Sequence, residues 1–369
     1  MEITKEAYYL AINVLEKCST PCGFRAAFPG YDGIWSRDAN IISLGASLID
    51  DKFKKTFRES IETLGKYQSK KGQIPNAVLL HDKPKKADYK SIDSTLWFII
   101  GHYIYKKRYQ DAKLFKKHKS KIKKALIWLS YQDMNEDNIL EQLPTTDWQD
   151  AFPHRYGATI NTQALYYFVL NLTNQKQKAR QLKKIVNTNK EDGLWNGSFY
   201  IPWRWKNHNK YREMGLWFDS LGNLLAILFN LADKEQAKKI LAHIKKDRIA
   251  SPYPMKAIYP PIRKTSKEWE DYFKDAASRA PYHYLNAGIW TYIGGFYVLA
   301  LIKNKKFTDA KKQLALLAEA NLKKPIFSEW LDGKTGKVGA KDKFAGNQGW
   351  NAGMYILAYE SLKKRKVLL

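Results

Sequence analysis

Cysteine is scarce in this chain. Cys18 and Cys22 are the only two, and their spacing fits no common zinc or redox pattern, so they read as reduced thiols at a helix end. Long apolar runs are missing as well: none approaches the ~20 residues that a membrane-spanning helix requires. The opening Met1-Glu2-Ile3-Thr4-Lys5-Glu6 lacks the basic and apolar parts of a signal peptide, and a cytoplasmic location is expected. No Pro- or Ser-rich linker interrupts the chain, so residues 1–369 are expected to form a single domain. Val/Ile alternation of the strand kind is almost absent, and no fixed-period repeat marks an open solenoid.

Acidic residues are the scarcer charge. Asp and Glu number 36 against 63 Lys and Arg, for a formal net charge of +27. Nucleic-acid binding is the sharp reading of such a balance. The lysines are nevertheless dispersed. One run holds Lys106, Lys107, Lys113, Lys116, Lys117, Lys119, Lys121, Lys123 and Lys124, and pairs follow at Lys183-Lys184, Lys238-Lys239 and Lys311-Lys312. Most fall on the polar faces of amphipathic helices, and no nucleic-acid motif accompanies them. A proteome-wide lysine bias or a solvated face explains the charge better, so no specific nucleic-acid partner and no membrane partner are expected. The oligomeric state is left open.

What the chain has in quantity is helical periodicity and aromatic bulk. Hydrophobic residues make up 44%, enough for a sizeable core, and Phe, Trp and Tyr reach 14%. The periodicity predicts helices over residues 3–16, 38–68, 93–105, 111–131, 161–172, 175–186, 216–230, 233–246, 285–303, 308–322 and 348–364. Apolar members such as Leu224-Leu-Ala-Ile-Leu-Phe229 alternate with amphipathic, lysine-rich ones. That alternation suggests inner helices buried all round and outer helices with one charged face. About six such hairpins make an all-α (α/α)6 toroid, whose loops converge at one end on a central cavity. An irregular stretch from Gly193 to Tyr211 carries Trp195, Trp203 and Trp205 and reads equally as an active-site loop or as a surface excursion packed on the core.

Four separated segments set acids beside aromatic residues at helix edges: Trp35-Ser-Arg-Asp38, Asp93-Ser-Thr-Leu-Trp-Phe98, Asp147-Trp-Gln-Asp150 and Phe327-Ser-Glu-Trp330. Carboxylates bind hydroxyls and do acid/base work, and flat rings take the apolar face of a sugar, so the pattern points to carbohydrate. His154 and His283 are candidate polar contacts, and neither has metal-ligand spacing. No metal or organic cofactor is called for.

These segments also resemble known families. Gly33-Ile-Trp-Ser-Arg-Asp38 with Ile41-Ile-Ser-Leu-Gly45, Gly72-Gln-Ile-Pro-Asn76 and Ile92-Asp-Ser-Thr-Leu-Trp-Phe-Ile99 are similar to successive motifs of glycogen-debranching amylo-1,6-glucosidases. Asp147-Trp-Gln-Asp150, Arg155-Tyr-Gly157 and Gln163-Ala-Leu-Tyr-Tyr167 continue in the same order. The stretches Phe218–Ile227 and Tyr253–Tyr259 look more like alkaline/neutral invertases. Asn286-Ala-Gly-Ile-Trp290, Glu329-Trp-Leu-Asp-Gly-Lys-Thr-Gly336 and Gln348-Gly-Trp350 resemble both. The resemblance implies an (α/α)6 glycosidase that inverts configuration, with Asp93 as general acid and Glu329 as the base that activates water. It implies substrate contacts from Trp35, Arg37, Asp38, Trp97, Trp148, Asp150, Arg155, Gln163, Asn286, Gln348 and Trp350. Asp93 also has a structural reading as a helix cap, and a helix N-terminus opposes the protonated state that a general acid needs. Asp38 reads equally as a hydroxyl ligand and as a cap paired with Arg37. Trp35, Trp148 and Trp350 are stacking platforms or core.

The chain departs from both families at Asn161, where they usually have an acid, and at Leu285-Asn286-Ala287, where they usually have His-Asn-Gly. The expected substrate is an α-glucosidic oligosaccharide or glucan branch end. The alternative is sucrose, hydrolysed as by the neutral invertases. A third reading is a non-catalytic basic toroid that holds glycan or nucleic acid.

Overall fold

The structure is a computed structural model that describes all residues except 1, 83, 189–192, 208–210, 276 and 340–345, together with the side chains of 206, 207 and 211. Thirteen α-helices stand in the described chain. They are α1 (Ile3–Cys18), α2 (Ser36–Ala46), α3 (Lys54–Lys66), α4 (Asp93–Tyr109), α5 (Lys113–Lys117), α6 (Lys119–Ser130), α7 (Ile160–Leu172), α8 (Lys176–Val186), α9 (Ser220–Leu228), α10 (Lys234–Lys246), α11 (Thr291–Lys303), α12 (Phe307–Leu322) and α13 (Gly349–Lys363).

Burial sorts them into two rings. Every residue of α2 and α9 is buried, and so are all of α11 but Lys303. Such helices have no polar face to offer water and can exist only inside the molecule. By contrast α3, α8 and α10 bury one stripe and expose lysines on the other. The inner helices touch in sequence, α2 on α4, α4 on α7, α7 on α9, α9 on α11, α11 on α13, and α13 back on α2. Six inner helices therefore close a ring, and the preceding or intervening amphipathic helices clad it: the (α/α)6 toroid expected from the sequence. Close approach in the ring needs small residues. A Cβ on Gly45 would meet the Gly353 carbonyl oxygen at 1.8 Å, so α2 and α13 pack backbone to backbone there.

Four expected helices differ. The helix expected over 38–68 is two, α2 and α3, separated by a turn in which Asp50 has φ +40°. The one expected over 111–131 breaks at His118, which is buried and bonds Glu62 and His102. The helices expected from 216 and 285 begin instead at Ser220 and Thr291, because the residues before them pair in extended conformation, Phe218–Asp219 with Ile258–Tyr259 and Ile289 with Leu331. Short strands of this kind recur before the inner helices, at Gly33–Trp35, Gly157–Thr159 and Phe218–Asp219. They aim the N-terminal ends of α2, α7 and α9 at one end of the ring. The stretch 193–211 supplies Trp203–Asn207, one arm of a hairpin with Tyr211–Met214; part of its tip lies outside the described residues. Among the described residues no helix is long and apolar enough to cross a membrane. Cys18 and Cys22 are both free, Cys18 ending α1 in the core.

Candidate active site

The inner helices begin where the acids are. Arg37, in the first turn of α2, reaches the first residue of α4, and its Nη1 donates to both carboxylate oxygens of Asp93 at 3.0 and 3.1 Å. Ser91 Oγ donates to one of them, Asp93 Oδ1. Asp93 is wholly enclosed, and burial pushes its carboxyl upward while the Arg37 guanidinium pulls it down. Arg37 Nη2 lies 3.9 Å from Asp150 Oδ2.

Asp150 is different from Asp93. Its side chain is 47% exposed, so a ligand can reach it. Crowding by protein atoms raises its carboxyl above the ordinary range, Arg37 opposes that, and the negative charges of Asp147 and Asp93 add to it. Asp38, buried beside them, is pushed up to about 7 by burial; Arg37 opposes this, and Asp150 and Glu329 reinforce it. Asp150 and Glu329 thus both act on the charge of Asp38.

Glu329 comes from the opposite side, on the loop after α12, and is half-buried. Tyr31 Oη donates to its Oε1 at 2.7 Å. Tyr284 faces the same group: burial and the charge of Glu329 both hold its phenol protonated, and Asp150 acts in the same direction. Trp35 packs edge-on against Tyr31 with ring centres 6.2 Å apart. One mouth therefore gathers Tyr31, Trp35, Arg37, Asp38, Asp150, Tyr284 and Glu329.

The floor of the mouth is polar and underused. Several buried side-chain atoms have no hydrogen-bond partner in the protein: both amide atoms of Asn161, Ser220 Oγ, Thr291 Oγ1, Tyr292 Oη, Gln348 Nε2 and Trp350 Nε1. All belong to the N-terminal ends of α7, α9, α11 and α13. Trp148 Nε1 and both amide atoms of Gln149, just before Asp150, are also unpaired. Buried polar atoms are nearly always bonded, so such a set converging on one place asks for a ligand with many hydroxyls, or for water in its absence. Trp350 lies flat on Tyr292, centres 4.2 Å apart and 12° from parallel, and Trp148 meets Tyr292 edge-on.

Other residues expected at the site are committed to the scaffold. Trp97 is core, 1% exposed. Arg155 bridges Asp147 and Asp219 with no exposure of its own. Gln163 bonds the main chain of Leu140 in both directions, and Asn286 clamps Ile262 and Ser278. His154 pairs with Tyr272 at the surface, and His283 lies 3.4 Å from Asp332. Tyr31, Ser91, Tyr284 and Tyr292 were not singled out from the sequence. Tyr31 had one signal, its place two residues before the Gly33-Ile-Trp35 motif. Among the described residues no group of three or more His, Cys, Asp or Glu side chains is arranged to hold a metal ion.

A family model described as alkaline and neutral invertase matches residues 207–365. Alkaline/neutral invertase C, mitochondrial, of Arabidopsis thaliana is 29% identical over 155 residues, 41% of this chain and 23% of that protein. Cytosolic invertase 1 of Oryza sativa subsp. japonica is 32% identical over 166 residues, 44% of this chain and 28% of that protein. The matched stretch thus spans only about a quarter of those relatives. Among solved structures, a mannosylglycerate hydrolase from Thermus thermophilus, in complex with Tris and D-glycerate, superposes with a TM-score of 0.72 at 13% identity, covering 95% of this chain and 99% of that one. A bacterial glucoamylase complexed with acarbose gives 0.68 at 15% identity, covering 100% and 57%. The chain has the fold of the (α/α)6 toroidal glycosidases, and its stretch 207–365 resembles the alkaline and neutral invertases.

Proposed function

We propose that this protein is an inverting glycoside hydrolase in which Asp150, rather than Asp93, is the general acid and Glu329 the base. The observation that carries the reading is the pair of reachable carboxyls, Asp150 and Glu329, facing one mouth above a floor of unpaired buried polar atoms. Asp93 is enclosed, and its oxygens are already engaged by Arg37 and Ser91. It serves as the partner that fixes Arg37, and Arg37 in turn positions Asp150. An acid must hold a proton near neutral pH, and crowding together with Asp147 and Asp93 favours that state at Asp150. In the reaction Asp150 gives its proton to the glycosidic oxygen as the bond breaks. Glu329 takes a proton from the water that attacks the anomeric carbon on the opposite face, which inverts the configuration. Tyr31 orients Glu329 by its hydrogen bond.

Sucrose is the preferred substrate class, on the match of residues 207–365 to the invertase model, a stretch that contains Glu329 and Tyr284. An α-glucosidic oligosaccharide or glucan end is the second reading. It rests on the debranching-type motifs around Asp38, Asn76 and Asp93, which lie outside that stretch. Purified protein is tested on sucrose, isomaltose, maltose oligomers and trehalose, with the anomer released followed by NMR. The anomer first formed should be β-glucose where an α-glucosyl bond is attacked, or α-fructofuranose where the β-fructosyl bond of sucrose is attacked. A folded protein that cleaves none of them, or that retains configuration, overturns the proposal. The location is expected to be cytoplasmic, and fractionation of cells checks it.

A further inference from the structure

The inner helices end on the face opposite the acids, and a groove of about 550 Å³ opens there, within the roughly 300–1,000 Å³ common for small-ligand sites. Its apolar wall is Phe168 at the end of α7, Phe229 after α9, Phe307 opening α12, and Val367. Phe168 and Phe229 lie parallel with centres 4.1 Å apart. Its cations are Lys303, Lys305, Arg365 and Lys366, and no aspartate or glutamate is among the residues that line it; Leu369 lines it too, and its oxygen already accepts from Lys107 at 2.7 Å. Lys303 is half-buried and donates to the Leu228 carbonyl at 2.6 Å; burial, reinforced by Lys183, lowers its ammonium to about 8. Arg365 lies over the Phe307 ring at 4.1 Å.

Capping of helix carbonyls accounts for Lys303 and for Lys183, which donates to Asn230. It does not account for Lys305 and Lys366, which are exposed and have no acidic partner among the described residues. Four cations around an aromatic groove without an acidic side chain are complementary to an anion with an apolar body. A bare phosphate would leave the rings unused, and a neutral lipid would leave the cations unused. A membrane surface fits less well, because Phe168 and Phe307 are half-buried in a concavity rather than projecting.

We propose that this groove binds an amphiphilic anion, a carboxylate or phosphate head on an apolar chain or ring, with the head on Lys303, Lys305 and Lys366 and the body against Phe168 and Phe307. The inference is independent of the reaction at the other end of the ring. The probe is 8-anilinonaphthalene-1-sulfonate, titrated into the full chain and followed by fluorescence. Saturable binding near one equivalent is expected, displaced by decanoate or decyl phosphate but not by equal decanol or inorganic phosphate. Lys305→Glu/Lys366→Glu, a pair on the surface, should weaken it tenfold or more with unchanged circular dichroism. Lys238→Glu/Lys245→Glu, on the separate groove beside α10, should leave it unchanged. Equal displacement by decanol or by phosphate overturns the proposal, as does an unaltered affinity in Lys305→Glu/Lys366→Glu. Sedimentation with anionic vesicles that decanoate does not compete would also overturn it, in favour of a lipid surface.

Discussion

Replacing Asp150 by Asn and, separately, Asp93 by Asn divides the chemistry of the mouth from its architecture. Asp150 is 47% exposed and its nearest cation, Arg37, is 3.9 Å away, so Asp150→Asn disturbs little packing. A lost general acid typically costs 10²–10⁴-fold in rate, about 3–5 kcal/mol of barrier at ~1.4 kcal/mol per decade. The loss should fall mainly on leaving groups that need a proton. Asp150→Asn should be strongly impaired on the natural disaccharide and much less on a glycosyl fluoride, while Glu329→Gln is impaired on both. Asp93→Asn acts on stability. It removes the carboxylate that faces Arg37 through both oxygens, and both side chains are buried. Breaking such a pair costs about 3–5 kcal/mol, and here the lower end is expected because the amide still accepts one bond and Asp150 remains near Arg37. Urea unfolding followed by circular dichroism, beside kcat on both substrates, measures the two effects. An Asp93→Asn variant of native stability with no activity, beside an active Asp150→Asn, would refute the assignment and return the acid role to Asp93.

Asp38 gives a pH signature. Its folded value of about 7 lies above its ordinary 3.8, so its contribution to stability is fully present below that ordinary value and is lost as pH rises through 7. Asp38→Asn should therefore be nearly neutral in melting temperature at pH 4 and increasingly stabilising up to pH 8, by as much as about 4 kcal/mol; a constant difference across that range would rule the mechanism out. Tyr31→Phe removes the 2.7 Å bond to Glu329 and should lower kcat roughly 10–100-fold with little change in KM, the range of a hydrogen bond to a charged group. Wild-type kinetics in this variant would show that the phenol does not position the base. Arg155→Met leaves Asp147 and Asp219 buried without their shared cation, and a loss of about 3–5 kcal/mol or failure to fold is expected from denaturation curves. Full stability would mean that the two carboxyls are held protonated.

The ring was legible because its inner helices have no polar side. A stretch such as Leu224–Phe229 leaves no choice but burial, and six of them with lysine-bearing partners leave few arrangements other than a closed double ring. The breaks were not legible. Leu48 and Ile49 keep the apolar pattern going between α2 and α3, and only the backbone shows that Asp50 turns the chain. His118 reads as a helical residue until its bonds to Glu62 and His102 come into view across 56 and 16 residues. Strands of two or three residues have too little length for an alternating pattern to declare itself.

The acids show the same limit more sharply. Locally, Asp93 and Asp150 are equivalent: each stands beside a tryptophan segment at the edge of a helix or loop, and each sits within a motif that resembles a glycosidase. What separates them is the placement of one side chain. Arg37, 56 residues before Asp93, closes on its carboxylate with Ser91 on the other side, and leaves Asp150 3.9 Å from the guanidinium, with burial raising its carboxyl against the pull of that cation. The same ion pair explains why a buried charge is tolerated in a ring of apolar helices. Asp93 offsets Arg37 at the start of two neighbouring inner helices, and Asp147 and Asp219 do so for Arg155 further round. Each arginine ties the N-terminal end of one inner helix to an acid from another part of the chain. The rim of the toroid is therefore held by buried ion pairs, and Asp38, Asp150 and Glu329 are the acids of the mouth that do not close those pairs, which is why the proposed chemistry is assigned to Asp150 and Glu329.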